Sequence, residues 1–171
     1  MIELERTFLA KYLPEGLKNG KRKEIIDIYI PKSQIHPKIR IRKNGDKFEM
    51  TKKQPVHDHD KSKQKEQTII LTEEEFNELS KLDGKRVRKI RYFYDFNGNI
   101  AEFDVFQDEL KGLVLVDFEF EDETKKDDFV IPDFCLADVT NEESIAGGML
   151  CGKSFKDIED NLKKFNYRPL D

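Results

Sequence analysis

Charged and apolar residues alternate along most of the chain, and this period of two is typical of β-strands with one buried face. Residues 38–43 and 47–53 alternate on either side of Asn44-Gly45, a pair that supplies the positive φ angles of a tight hairpin turn. A second hairpin is predicted from Val87 to Phe106, with its turn at Asn97-Gly98. The same alternation predicts further strands at residues 3–9, 25–30, 67–71 and 112–121.

Helical patterns are fewer. Thr72 and Glu75 have the spacing of a capping box at the start of a helix, and Gly84 is placed to end it. The buried face of this helix is predicted to consist of Phe76, Leu79 and Leu82. A second helix is predicted at residues 154–165, with an apolar stripe of Phe155, Ile158, Leu162 and Phe165. Residues 141–146 predict a short third helix.

Many antiparallel strands with two or three helices indicate an α+β domain built on one large sheet or barrel. Two charged stretches, residues 55–65 and 121–128, have no apolar period and are predicted to be mobile loops. The chain contains no internal repeat and no linker, so a single domain is predicted over residues 1–171.

Composition narrows the class of protein. Thirteen phenylalanines favour a folded core, and 31 cationic against 35 anionic side chains give a net charge of −4, without the basic excess that a nucleic-acid binder usually has. No apolar stretch approaches membrane-spanning length. The two cysteines, Cys135 and Cys151, are expected to be thiols in a reducing compartment. The sequence therefore predicts a cytoplasmic protein that binds neither nucleic acid nor membrane.

Like charges recur at positions i and i+2 of the predicted strands. Residues i and i+2 point to the same face of a strand, about 7 Å apart, so each pair concentrates one sign of charge on one surface. The acidic sets are Glu3 and Glu5, then Glu102 and Asp104, then Asp117, Glu119 and Glu121. The basic sets are Arg40 and Arg42, then Lys89 and Arg91.

Two interpretations of these charges remain open at this point. They are the solvated faces of a β-sandwich, or they line the inside of a barrel whose outside is apolar. The residues between the charges, such as Ile41 and Phe118, are apolar, so the opposite face must be buried in either case. In a barrel, clustered carboxylates would select a hard cation such as Mg²⁺ or Mn²⁺, and clustered Arg and Lys would bind a polyanion.

The ordered set of motifs resembles the CYTH, or triphosphate tunnel metalloenzyme, family, which includes inorganic and thiamine triphosphatases and class IV adenylyl cyclases. Residues 2–9 are similar to the family's ExExK opening, residues 38–42 to its R-x-R strand, and residues 50–55 to its L-T-x-K segment. Residues 89–92 resemble its K-x-R strand, residues 102–104 its E-x-D strand, and residues 112–121 its late acidic strand. Residues 138–140 resemble the V-T before its closing segment.

This resemblance implies a closed or nearly closed antiparallel barrel of about eight strands, with a charged tunnel and a few flanking helices. It implies a metal-dependent phosphohydrolase that acts on tripolyphosphate, thiamine triphosphate or a nucleoside triphosphate. The alternatives are a class IV-type adenylyl cyclase and a module that binds polyphosphate or nucleotide without turnover. The implied cofactor is Mg²⁺ or Mn²⁺, the partner is a triphosphate-bearing small molecule, and the protein is expected to be a monomer or homodimer.

The resemblance also implies roles for individual residues. Metal ligands would be Glu3, Glu5, Asp117, Glu119 and Glu121. Substrate would be bound by Arg40, Arg42, Lys53, Lys89 and Arg91, together with Glu66, Glu102 and Asp104. The residues implied to be catalytic are Glu3, Glu5, Lys89 and Arg91.

The chain departs from the family pattern at three places. Thr7 stands where the family has the lysine of ExExK, and Thr68 where it often has a second acidic residue after Glu66. Residues 144–148 contain no arginine, which many members carry in this segment. Lys11 or Lys153 could replace a missing cation, although a surface position is expected for both. Residues 57–60, His-Asp-His-Asp, are expected to be a solvated loop rather than a zinc site.

Overall fold

The fold is that of a computed structural model, which describes residues 2–57 and 60–170. Within these residues the strands are β1 (Ile2–Ala10), β2 (Arg22–Ile30), β3 (Ile39–Asn44), β4 (Lys47–His57), β5 (Asp60–Leu71), β6 (Lys85–Phe96), β7 (Asn99–Phe106), β8 (Val114–Phe120) and β9 (Cys135–Asp138). The α-helices are α1 (Glu73–Leu79), α2 (Glu123–Asp127), α3 (Gly147–Leu150) and α4 (Phe155–Lys163). Short 3₁₀ turns lie at Leu17–Asn19, Asp108–Leu110 and Glu143–Ile145.

The strands form one closed antiparallel barrel. Their order is β5-β4-β3-β2-β6-β7-β8-β1-β9, and the pairing of β5 with β1 closes the first eight strands into a ring. One edge of β1 is shared, because its first residues pair with β5 and Phe8 to Ala10 pair with β9. The predicted closed barrel is confirmed, and the alternative of a β-sandwich is wrong.

The charged and apolar residues that alternate in the sequence lie on opposite faces of the barrel wall. Ile41, between Arg40 and Arg42, is fully buried on the outer face, and Phe118 is 1% exposed between Asp117 and Glu119. The outer apolar face is covered by α1, by α4 and by the aromatic residues of the segment between α2 and β9. The barrel therefore has its hydrophobic core outside the ring of strands and its charges inside.

The first predicted helix is confirmed at its start and corrected at its end. In α1 the Thr72 side chain accepts from the Glu75 amide, and the Glu75 carboxylate accepts from the Thr72 amide, which is the predicted capping box. The helix ends at Leu79, and Leu82 lies beyond it, half exposed, instead of on the buried face. Gly84 is needed elsewhere: a Cβ atom there would lie 2.6 Å from Ile28 Cγ2, so the glycine lets the chain pass close to β2.

Both stretches predicted to be mobile loops have regular structure. Residues 55–65 belong to β4 and β5, apart from Asp58 and His59, which lie outside the described residues. The expected solvated loop is thus corrected at His57 and Asp60, which end one strand and begin the next. Backbone pairing holds these strands together, so no apolar period is required. Residues 123–127 form α2, whose side chains are not buried and which is capped by Asp122.

The helix predicted at residues 154–165 is confirmed as α4. Ser154 caps α4 through a capping box with Asp157, and Ile158 and Leu162 are buried. The predicted short helix at residues 141–146 is a 3₁₀ turn at Glu143–Ile145 that leads into α3. No helix among the described residues is both long enough and apolar enough to cross a membrane.

Tyr167 fastens the C-terminal segment to the start of β8. Its buried hydroxyl accepts from the Val114 amide and donates to the Gly112 carbonyl, both at 2.8 Å. Tyr167→Phe removes both hydrogen bonds, although the Gly112 carbonyl still accepts from the Leu170 amide. The loss should lower the free energy of unfolding by about 1–3 kcal/mol. Urea denaturation measures this change. The matched variant Tyr12→Phe removes a hydroxyl that contacts Asp133 at an exposed tyrosine, where water can replace it, so the stability should change far less. Equal effects of both variants would contradict the role of Tyr167.

Candidate active site

The barrel encloses a cavity of about 430 Å³. Among the described residues, ten carboxylates and eight lysines or arginines line it. Ligand pockets are usually lined mainly by apolar side chains with a few polar ones. The chemistry of this cavity is therefore set by charge.

Three neighbouring strands contribute an acidic arc. We define the acidic arc as Glu3 and Glu5 on β1, Glu102 and Asp104 on β7, and Asp117 and Glu119 on β8. In the strand register Glu5 lies directly opposite Glu119, and Asp117 directly opposite Glu102. Like charges directly opposite each other repel, so the arc needs positive charge nearby.

A basic arc faces it from the other side of the barrel. We define the basic arc as Arg40 and Arg42 on β3, Lys23 on β2, and Lys89 and Arg91 on β6. β3, β2 and β6 are consecutive in the barrel, as are β7, β8 and β1. Positive and negative side chains that the sequence places on different strands therefore lie on different parts of the barrel wall.

Lys53 on β4 reaches across to the acidic arc. Its ammonium lies 2.6 Å from Glu5 Oε2 and 2.8 Å from Glu3 Oε2. Burial raises the pKa of Glu5, and Lys53 opposes this rise. Burial lowers the pKa of Lys53, but the charges of Glu5 and Glu3 outweigh it and raise that pKa. The lysine therefore stays protonated and acts as an internal cation between two carboxylates.

Arg91 is held where the two arcs meet. Its guanidinium donates to both oxygens of Asp104, at 2.6 and 2.7 Å, to Glu102, and to Asp117 at 3.2 Å. Lys89 also donates to Asp104. Burial would raise the pKa of Asp104, but Arg91 and Lys89 hold it well below its usual range. Burial lowers the pKa of Lys89 and raises that of Glu102.

Asp27 is a carboxylate inside the basic arc that sequence reasoning missed. It is 2% exposed and binds Arg42 through two hydrogen bonds of 2.6 and 2.8 Å. Burial would raise its pKa, but Arg42 and Arg40 outweigh burial and lower the pKa to about 2. The sequence does contain an indication of this residue, because Asp27 is the one carboxylate in the apolar stretch Ile25-Ile26-Asp27-Ile28. A carboxylate buried in such a strand requires a cationic partner, and Arg42 lies directly opposite it in the register.

Arg40, in the basic arc, has a buried donor that is not used. Its Nε atom is buried and has no hydrogen-bond partner. The nearest carboxylate oxygens, on Asp27 and Glu66, lie 3.9 and 3.8 Å from its nitrogens, and the Tyr29 hydroxyl lies 3.4 Å away. A buried guanidinium with an unused donor favours an anion as its missing partner.

Almost all the residues implied by the family resemblance line this cavity. They are Glu3, Glu5, Arg40, Arg42, Lys53, Glu66, Lys89, Arg91, Glu102, Asp104, Asp117 and Glu119. Glu121 does not, and its place in the metal set is corrected: its side chain is 83% exposed and pairs with Lys125, because β8 ends at Phe120.

The positions that depart from the family pattern also have clear locations. Thr7 lines the cavity and its hydroxyl donates to Asp117 Oδ1 at 2.7 Å. Thr68 donates to Glu66 Oε1 at 2.7 Å and is not among the residues that line the cavity. Lys11 and Lys153 lie outside the lining, so neither replaces a cation within it.

The cavity is also lined by residues that the sequence pattern did not mark as functional. They are Lys23, Asp27, Tyr29, His36, Lys38, Asn44, Glu49, Lys61 and Glu142. Residues 140–150, which we call the closing segment, also pack against the cavity. A Cβ atom at Gly147 would lie 2.3 Å from the Tyr29 hydroxyl, so only glycine allows this contact. The glycine pair in the sequence therefore serves close packing.

The acidic arc is not gathered around a single point. Among residues 2–57 and 60–170, no group of three or more His, Cys, Asp or Glu side chains is arranged to hold a metal ion. Lys53 and Arg91 account for this arrangement, because each draws carboxylates of the acidic arc toward itself.

Comparison with known proteins gives named relatives. No protein-family model matches the chain. The chain is 30% identical over 145 residues to an inorganic triphosphatase of Nitrosomonas europaea, a match that covers 84% of this chain and 92% of that protein. A crystal structure of an inorganic triphosphatase superposes with a TM-score of 0.62 and 26% identity, over 88% of this chain and 95% of that chain. A protein of Pyrococcus horikoshii, 16% identical with a TM-score of 0.50 over 96% and 90% of the two chains, shares the fold alone.

Asp27 should stabilise the fold through its ion pair with Arg42. Removing one partner of a buried pair leaves the other charge uncompensated, so Asp27→Asn should lower the free energy of unfolding by about 3 kcal/mol. Urea denaturation measures this loss, with Asp46→Asn, at an exposed turn, as the control.

The same pair has a defined pH dependence. The pKa of Asp27 is about 2 in the folded protein against 3.8 as the ordinary value. A lowered pKa means that the contribution is complete above pH 3.8 and is lost as the pH falls toward 2. Stability should therefore fall less steeply with acid in Asp27→Asn than in the parent protein. Identical acid profiles would show that the pair does not contribute.

Proposed function

The chain belongs to the CYTH, or triphosphate tunnel, family, and on that premise we propose that it hydrolyses a triphosphate-bearing small molecule with the help of a divalent metal ion. The observation that carries this proposal is the opposition of the acidic and basic arcs inside a closed barrel. A metal-bound polyphosphate is an anion and a cation in one ligand, so it satisfies both arcs together.

The phosphate groups are bound by the basic arc. Arg40, whose Nε lacks a partner, is the first contact we assign, because the incoming anion supplies the acceptor it lacks. Arg42 and Arg91 are held by Asp27 and Asp104, so their guanidinium groups are already oriented. Lys89 and Arg91 neutralise the charge that develops on the leaving phosphate.

The metal ion is assigned to the acidic arc, at Glu3, Glu5, Asp117 and Glu119. The donors fit in kind, since carboxylate oxygens are the ligands that Mg²⁺ and Mn²⁺ prefer. The ammonium of Lys53 between Glu3 and Glu5 supports this assignment, because a positive charge there offsets the repulsion of the two carboxylates. Such an ion, when bound, orients the triphosphate and activates water as the nucleophile.

Lys53 has two partners in this account. In the ligand-free protein it neutralises Glu3 and Glu5. With Glu3 and Glu5 as metal ligands, the Lys53 ammonium would be available to bind a phosphate oxygen. The side chain thereby links the two halves of the site.

The cyclase alternative fits the cavity less well than hydrolysis of a triphosphate. A cyclase must bind an adenine base, which proteins commonly stack on an aromatic ring. Among the described residues, the aromatic side chains that line the cavity are Tyr29, His36 and Phe106. Tyr29 and Phe106 are 5% and 3% exposed, so neither presents a free face. A cytoplasmic location and a monomeric or dimeric state stay predictions.

Phosphate release tests the activity directly. The relative with 30% identity is an inorganic triphosphatase, so tripolyphosphate is the first substrate, with ATP and thiamine triphosphate in parallel. We expect release from tripolyphosphate that requires Mg²⁺ or Mn²⁺. Cyclic AMP from ATP would instead establish a cyclase, and binding of tripolyphosphate without release would establish a module that has no turnover.

The metal assignment is tested by two glutamates that lie two residues apart. Glu119→Gln removes an anionic ligand from the acidic arc and should weaken Mn²⁺ binding by about tenfold or more, measured by calorimetry. Glu121→Gln removes the same charge outside the cavity and should leave the affinity unchanged. Equal affinities in both variants would exclude Glu119 as a ligand.

A further inference from the structure

A second group of basic side chains lies at the end of the cavity where β3 and β5 begin. We call His36, Lys38 and Lys61 the outer cluster; all three line the cavity. The Lys38 ammonium lies 3.2 Å from His36 Nδ1. The proposed function assigns no role to these residues.

The outer cluster continues a row of cations along one wall. Lys38, Arg40 and Arg42 alternate along the chain, and all three side chains reach the cavity. The Lys53 amide donates to the Lys38 carbonyl, so the pairing of β3 with β4 extends to this residue. Arg42 is occupied by Asp27, whereas Arg40 has an unused donor. The unfilled capacity for an anion therefore lies at the Arg40 end of the row, next to Lys38.

A carboxylate already occupies the outer cluster. Glu143, in the closing segment, lies with Oε1 3.2 Å from His36 Nδ1 and with Oε2 3.9 Å from the Lys61 ammonium. Its side chain is 62% exposed, so it can turn into solvent at little cost. Two oxygens of one anionic group thus contact the cluster, in the way that two oxygens of a phosphate group would.

The imidazole contributes hydrogen bonding rather than charge. Burial and the charge of Lys38 lower the pKa of His36, and Glu143 opposes this only in part. The two lysines therefore supply the positive charge. A Cβ atom at Gly148 would lie 2.6 Å from His36 Cδ2, so the glycine lets the closing segment pack against the ring and fix its position.

We propose that the outer cluster is an additional anion subsite, which holds the end phosphoryl group of a linear inorganic polyphosphate and is covered by Glu143 when no ligand is bound. The proposal rests on the proposed function, because it extends the same cavity.

Tripolyphosphate binding in metal-free buffer tests the subsite without turnover. The double variant Lys38→Met and Lys61→Met keeps the apolar stems and removes both charges. Calorimetry should show an affinity about tenfold lower for each lysine removed, because a charge-assisted hydrogen bond is lost each time. The control is Lys65→Met, an exposed lysine of β5 outside the cavity, which should bind like the parent protein.

Glu143→Gln is the complementary variant. It removes the covering charge while leaving His36, Lys38 and Lys61 in place, so the affinity for tripolyphosphate should rise by about threefold or more. This variant changes an exposed side chain and does not depend on the folding of the double variant, whose thermal denaturation is measured alongside.

These measurements distinguish failure of the subsite from failure of the proposed function. If the parent protein binds tripolyphosphate and the double variant binds it as well as Lys65→Met does, the outer cluster is not a subsite and the proposed function stands. An unchanged affinity in Glu143→Gln contradicts the covering role of that carboxylate. If the parent protein neither binds nor hydrolyses tripolyphosphate, the proposed function fails and the subsite fails with it.

Discussion

The structure depends on one constraint: a closed barrel that encloses many charges must neutralise them from within. A buried charge without a partner costs several kcal/mol. The cavity solves this by pairing the arcs, with Arg42 on Asp27, Arg91 on Asp104, and Lys53 on Glu3 and Glu5. These ion pairs fix the side chains of the cavity. In the proposed function they also compete with the ligand, because an incoming ion takes the place of an internal one.

The rest of the fold maintains this interior. The apolar residues between the charges face outward, where α1, α4 and the segment before β9 cover them. The pairing of β5 with β1 closes the ring and brings the acidic arc within reach of Lys53 on β4. Without closure the charges would face bulk water, where an ion pair contributes little and a phosphate would gain little from binding them. The hydrophobic exterior therefore stabilises the closed ring that keeps the charged interior away from bulk water.

Much of this could be predicted from the sequence because strand alternation carries directly into the barrel. The pairs Glu3 and Glu5, Arg40 and Arg42, and Lys89 and Arg91 all line the cavity, as their period of two indicates. Single charges were missed: Asp27 is surrounded by isoleucines, and Lys61 lines the cavity close to a register shift in the pairing of β4 with β5, which a local pattern does not predict. Glu121 has the right period, but the strand ends one residue before it. The pairing between strands decides where a strand ends and which residue lies opposite another. A local sequence pattern carries no information on that pairing.

The proposed function requires a metal ion to replace the internal cation that Glu3 and Glu5 bind, and a variant of Lys53 measures this replacement. Lys53→Met removes the ammonium that holds Glu3 and Glu5 and leaves both carboxylates available. Calorimetric titration with Mn²⁺, in the absence of any phosphate, should then show tighter binding than in the parent protein, by on the order of tenfold. Mn²⁺ binding that is unchanged or weaker in a folded Lys53→Met variant would contradict the account, because the metal would then not share its position with the lysine.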